Sequence, residues 1–186
     1  MPGQRADARR NYARILAVAE EEVAAHGADA SLEQIARVAG VGSATVRRHF
    51  PGRRALLDAV FRERVEALCE RARALAGAQD ARAALLDWLR ALTAYSASAR
   101  GMAAAMAPDG AFDEEAVHSC AAVLGDACAP LLRRAADEGV VGGGVTVADL
   151  ITLVTGIALA TEHHPRAAAE ADRLLTLAFA GVSPAR

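Results

Sequence analysis

Between Ser31 and Leu57 the chain reads SLEQIARVAGVGSATVRRHFPGRRALL, and this stretch admits few backbone solutions. Ser31 followed three residues later by Gln34 has the form of a capping box: the serine hydroxyl accepts from the Gln34 N–H while the glutamine side chain reaches back to the serine amide. A helix is therefore predicted to start at Leu32. Leu32, Ile35, Ala36 and Ala39 recur at spacings of three and four, completing one apolar face within two turns, and Gly40 supplies the left-handed residue that ends it. After Gly42 a second helix is predicted from Ser43 to Phe50, with Val46 and Phe50 on its inner side and Pro51 barring extension. A third starts near Arg53. The result is two short helices around a glycine-bearing turn, with a longer helix following at once.

The outer side of the second helix carries the chemistry. Ser43 and Arg47 lie one turn apart, as do Ala44 and Arg48, and both pairs point away from the Val46/Phe50 face. Small residues at the entry permit close approach to a major groove, and an arginine fork behind them can address a guanine edge or a phosphate. Thr45, His49, Arg53 and Arg54 add donors around the same end. An ordinary helical hairpin with a solvated charged face accounts for the arginines but not for their agreement with the cap and the turn.

The overall charge of -2 does not suggest a nucleic-acid partner, so its distribution decides. Residues 1–65 hold 11 arginines against 8 acids, a net +3, and residues 66–186 hold 10 against 15, a net -5. The chain contains no lysine, a compositional bias rather than a functional signal. A basic N-terminal segment beside an acidic remainder suits a DNA-reading head on a body that does not touch DNA.

At these residues the chain resembles the N-terminal domain of the tetracycline-repressor (TetR) family of one-component transcriptional regulators. The matching run is Ile35-Ala36, Ala39-Gly40-Val41, Thr45-Val46, His49-Phe50-Pro51 and Ala55-Leu56-Leu57, extending back through Ile15-Leu16, Ala19 and His26-Gly27, so that it covers about residues 9–61. The family usually carries a tyrosine where this chain has Arg47, a lysine where it has Arg53, and a serine-like cap where it has Gly42. Both basic replacements keep or add a phosphate-seeking group. The resemblance implies that Thr45, Arg47, His49 and Arg53 grip phosphates while Ser43, Ala44 and Arg48 face bases. It further implies a homodimer on double-stranded operator DNA, released when a small apolar or amphipathic effector enters the body. A repressor is expected, and an activator of the same family is the alternative.

The rest of the chain predicts an all-α protein of about nine helices, with no alternating strand pattern. Residues 1–8 are expected to be disordered and a first helix to run from about Arg9 to Ala25, ended by Gly27, with Ile15, Ala19 and Val23 inside. Arg5, Arg9 and Arg10 precede or open this helix, where one reading has them reach a DNA backbone or an adjacent minor groove and the other leaves them solvated. Residues 1–52 are expected to form the helix-turn-helix domain and 53–186 a ligand-binding and dimerisation domain, linked by a helix from about 53 to 76. That helix acts as a lever between ligand and DNA, as the resemblance implies. A helix from Asp80 to about Arg100 is followed by GMAAAMAPDGAF, read as one short helix and a loop. Asp113, with Phe112 and Val117 as a staple, caps the next helix, which Gly139 closes; Pro130 inside it predicts a kink or a break. Thr146 with Asp149 caps a helix to about His163, and a last helix spans about Arg166 to Ala180.

Two faces of the body are singled out. Trp88, Leu92 and Tyr95 share a helix face, and Met102, Met106, Phe112, Cys120 and Leu124 follow, combining rigid aromatics with adaptable thioethers around an apolar effector. Tyr95 and His118 supply its hydrogen bonds. A packed core would use similar residues. The helix beginning at Val147 is apolar nearly all round and needs partners on more than one face. Its stripe of Thr152, Gly156 and Ala160 lets another backbone approach, with Leu174, Leu175 and Ala178 of the last helix as the matching face of a homodimer.

Other chemistry finds little support. Cys69, Cys120 and Cys128 are odd in number and widely spaced, which fits buried thiols in a reducing cytoplasm better than a disulfide framework. Glu114 with His118, and His163 with His164, lack a second ligand pair, so no metal and no cofactor are expected. The sequence holds no phosphate loop, nucleophile elbow or HExxH, and His118, Ser119 and Cys120 point apart on one helix. The N-terminus has no apolar signal core, and Leu150–Ala160 is shorter than the span of about 20 residues a membrane requires, so a cytoplasmic protein is expected. A helical interaction adaptor without DNA activity would explain the body but not the arginine-lined helix.

Overall fold

The computed structural model describes the backbone of residues 2–26, 30–106 and 114–181, with side chains within 10–26, 30–97 and 122–181 and at residue 7. The described residues form eight helices: α1 (Pro2–His26), α2 (Leu32–Val38), α3 (Ser43–His49), α4 (Arg53–Leu75), α5 (Ala81–Met106), α6 (Glu114–Asp137), α7 (Val147–Thr161) and α8 (Ala167–Gly181). The all-α expectation of about nine helices holds, with eight among the described residues. Three local expectations do not. α1 begins at Pro2, ahead of the predicted Arg9. α5 runs unbroken to Met106, because the alanines and methionines of GMAAAM are strong helix formers and outweigh one glycine. α6 continues through Pro130; the bond lost to the Asp126 carbonyl is offset by burial of Ala127, Cys128, Leu131, Leu132 and Ala135 around it. The predicted Gly27 stop and the Asp113/Phe112 cap fall outside the described residues.

The chain divides into two compact units, Met1–Glu63 with Ser98–Phe112, and Arg64–Ala97 with Asp113–Arg186. In the first, Ile15, Leu16, Ala19 and Val23 of α1 meet Ile35, Ala36 and Ala39 of α2, Val46 and Phe50, and Leu56, Leu57 and Val60 of α4, all buried in one cluster. The α2 cap is half of a capping box. Ser31 Oγ accepts from Gln34 N at 3.2 Å, but the serine N–H donates to Glu22 Oε1 of α1 at 3.3 Å, and the Gln34 side chain instead accepts from Arg37 at 2.5 Å. The box is thus closed by a residue from another helix. At the far end Gly40 has φ 64°, with Val41 N donating to Ala36 O at 3.0 Å and Gly40 N to Arg37 O at 3.2 Å, the paired bonds of a Schellman stop.

In the second unit Trp88 is fully buried and its indole N–H donates to Leu68 O of α4 at 3.0 Å. Arg71 Nη2 of α4 donates to both carboxylate oxygens of Asp87 at 2.8 and 2.9 Å. Arg134 of α6 donates to Ala76 O and Gln79 O, satisfying carbonyls at and beyond the end of α4. Gly139, φ 69°, stops α6 as Gly40 stops α2. Thr146 and Asp149 make a complete capping box at α7, and the hydroxyl and amide of Thr146 hold the Asp149 carboxyl below its usual range. α7 packs against α6 and α8. Cys69 and Cys128 are buried free thiols; burial raises both, Cys128 to about 12. No helix among the described residues is long and apolar enough to cross a membrane.

Candidate nucleic-acid interface

The rotation of α3 about its axis is fixed by two side chains. Val46 is 0% exposed and Phe50 2%, so the helix can bury only that side. Its entry is Gly42, whose carbonyl accepts from Thr45 N and Val46 N but which offers no side-chain cap. Ser43, Ala44, Arg47 and Arg48 are consequently all exposed, Thr45 and His49 are half-buried, and Arg53 is exposed at the start of α4. The structure thus brings the seven expected DNA-facing residues to α3 and the helix start beside it. Unpaired main-chain N–H groups at the α3 entry add partial positive charge to that edge.

The cations differ in their engagements. Arg47 Nη2 lies 3.5 Å from Glu33 Oε1 of α2, with both side chains mostly exposed. Arg53 donates to the buried Ala30 carbonyl at 3.0 Å, tying the start of α4 to the residue ahead of the α2 cap. Arg48 enters no hydrogen bond or ion pair among the described residues. His49 is more enclosed than the spacing suggested: Tyr12 of α1 packs edge-on to its ring at 5.8 Å, and its Nε2 is buried without a hydrogen-bond partner. The same Tyr12 ring lies 5.3 Å from Phe50. Sequence reasoning missed Tyr12, although its spacing of three from Ile15 set it on the inner stripe of α1.

In the body, Trp88, Leu92 and Leu124 are buried at 0, 2 and 3% exposure, and Tyr95 is half-buried. Trp88 spends its N–H on Leu68, so its polar handle is committed within the chain. The side chains of Met102, Met106, Phe112, His118 and Cys120 lie outside the described residues. On α7, Thr152, Gly156 and Ala160 are exposed together, and a Cβ at Gly156 would meet nothing within 4 Å. Leu174 and Ala178 of α8 are half-buried, whereas Leu175 is fully buried in its own chain. Leu159 and Leu177 are large apolar side chains standing 56 and 63% exposed on the same two helices; Leu159 belongs to the all-round apolar surface expected of α7, whereas Leu177 was not singled out in the sequence. No group of three or more His, Cys, Asp or Glu that could hold a metal occurs among the described residues.

Comparison with known proteins bears on both halves. Residues 15–60 match the family of tetR-type bacterial regulatory proteins, and residues 80–184 match the C-terminal domain of SbtR-like transcriptional regulators. A TetR transcriptional regulator from Streptomyces coelicolor is similar in structure at a TM-score of 0.77 and 33% identity, over 94% of this chain and 99% of that one. A TetR regulatory protein from Mycobacterium vanbaalenii gives 0.74 and 32% identity, over 97% and 99%. FadR from Bacillus subtilis, in complex with stearoyl-CoA, shares the fold at 0.60 and 17% identity, over 92% and 99%. No curated protein sequence matches significantly.

Proposed function

The chain belongs to the TetR family of bacterial regulatory proteins and is a transcriptional regulator; on that premise we propose that it represses transcription by binding operator DNA as a homodimer. A small apolar or amphipathic effector, entering the helical body, releases it. Residues 1–52 act as the reading head, α4 carries motion to it, and the rest binds ligand and partner. The observation that carries this reading is the outward face of α3: Val46 and Phe50 are buried, so Ser43, Ala44, Arg47 and Arg48 face out. In this assignment Ser43, Ala44 and Arg48 meet base edges, while Thr45, Arg47, His49 and Arg53 meet phosphates.

A homodimer is supported by the exposed Leu159 on α7, the helix that carries the small-residue stripe of Thr152, Gly156 and Ala160, and by the exposed Leu177 on α8, which packs against α7. Burying such side chains against a second copy is favourable by about 25 cal/mol for each Å² of apolar surface removed from water. The effector is assigned to the region of Trp88, Leu92, Tyr95 and Leu124. The protein acts in the cytoplasm and performs no catalysis.

Selection of bound sequences from a random duplex library tests the function. Enrichment of a motif with two-fold symmetry, read by one dimer, is the expected result; recovery of no enriched duplex would remove DNA reading from the account. A reporter gene behind the selected site then separates repression from activation by the sign of the change when the regulator is supplied.

A further inference from the structure

The cations around α3 are unequally available, and for Arg47 an acidic residue makes the difference. Glu33 stands in the first turn of α2, where the helix dipole favours a carboxylate, and its side chain is 72% exposed. Its Oε1 lies 3.5 Å from Arg47 Nη2. A carboxylate oxygen offers an arginine the same chemistry as a phosphate oxygen: a charged acceptor of N–H donors. Arg48, the next residue on the helix, has no such partner among the described residues.

We propose that Glu33 is a positioning residue that competes with the DNA backbone for Arg47, standing in for a phosphate in the free protein and weakening binding to every duplex alike. The inference rests on the DNA-binding reading above. To engage a phosphate, Arg47 leaves Glu33, and the phosphate then approaches a region that holds an uncompensated carboxylate. Both effects oppose association, and neither depends on base sequence. The competitor acts on Arg47 and leaves the donors of Arg48 untouched. Exposed ion pairs of this kind are weak, so the competition tunes affinity without abolishing it.

The test needs no knowledge of the operator. Binding of a short labelled duplex of scrambled sequence is followed by fluorescence anisotropy between about 50 and 200 mM salt for the wild type, Glu33→Gln, Arg47→Ala and the double variant. Thermal melts verify that these exposed substitutions leave the fold intact. Glu33→Gln is expected to bind about two- to fivefold tighter at low salt. Its log–log salt slope steepens by up to about 0.9, because no carboxylate then offsets the charge with which Arg47 displaces counterions. In the Arg47→Ala background the gain from Glu33→Gln shrinks, because only the carboxylate's repulsion of the phosphates is then relieved. Wild-type affinity and slope for Glu33→Gln would overturn the proposal, as would an equal gain with and without Arg47, since Glu33 would then act only as a distant charge. Failure of the wild type to bind any duplex, selected or scrambled, would instead bring down the DNA-binding reading itself.

Discussion

Replacing Gly156 with leucine separates packing within one chain from packing between two. Within the chain the site is open, since a Cβ built there meets nothing within 4 Å. A leucine therefore stabilises the isolated fold by about 0.5–1 kcal/mol, through the helix propensity that glycine lacks. Between chains the sign reverses. If the stripe of Thr152, Gly156 and Ala160 lies against a second backbone, the inserted side chain overpacks the contact at about 1–3 kcal/mol, and two-fold symmetry applies that cost twice. The dimer then weakens by about 2–6 kcal/mol, raising its dissociation constant from about 30-fold to over 10,000-fold. Sedimentation velocity across a range of protein concentrations measures that change, and a far-UV melt at high dilution measures the fold. The reasoning predicts a sharply weaker dimer built from chains at least as stable as before. An unchanged dimer would refute the close approach at Gly156, and a less stable monomer would refute the open site.

Other predictions follow the same structure. Trp88→Phe loses the hydrogen bond to Leu68, about 0.5–1.5 kcal/mol, and leaves a void of about 40 Å³ costing about 1 kcal/mol more, so the melting temperature should fall by about 4–8 °C; a shift below about 1 °C would contradict its role in joining α5 to α4. Leu175→Ala should cost about 2–5 kcal/mol of fold stability in urea unfolding because it empties a buried site, whereas Leu177→Ala should change the fold by under about 0.5 kcal/mol and weaken the dimer. Burial raises Cys128 from 9.0 to about 12, so the folded chain keeps a proton that the unfolded chain releases. Its contribution to stability is then fully present below pH 9.0 and lost as pH rises toward about 12. Cys128→Ala should lessen the alkaline decline in melting temperature, and the native Cys128 thiol should resist alkylation at pH 8 that proceeds on unfolding.

What the sequence disclosed and what it hid divide along the range of the interactions. The stop at Gly40, the box at Thr146 and Asp149, and the inward side of α3 are set by residues within one or two turns, so spacing alone predicts them. The Ser31 box shows where local reading ends: its serine hydroxyl does what the motif predicts, but the amide finds Glu22 nine residues earlier on another helix. Arg53 likewise meets a carbonyl 23 residues away, and Trp88 one 20 residues away. Such partners depend on how helices dock, which no periodicity records. The continuity of α5 and of α6 past Pro130 has the same origin, since propensity and burial summed over a long helix outweigh one unfavourable residue. On α8, spacing assigned Leu174, Leu175 and Ala178 to an outward face; packing buries Leu175 within the chain and leaves Leu177 outside.

The central claim, that the outer face of α3 reads base sequence, is tested most directly by comparing Arg48→Ala with the wild type on the selected operator and on a scrambled duplex. Arg48 is exposed and unengaged among the described residues, so its removal leaves the fold unchanged. The account predicts a loss of about 1–3 kcal/mol on the operator and almost none on the scrambled duplex, while Arg53→Ala weakens both and flattens the salt slope by about 1. Equal losses for Arg48→Ala on the two duplexes would contradict the claim, because the arginine would then be holding phosphate rather than reading a base.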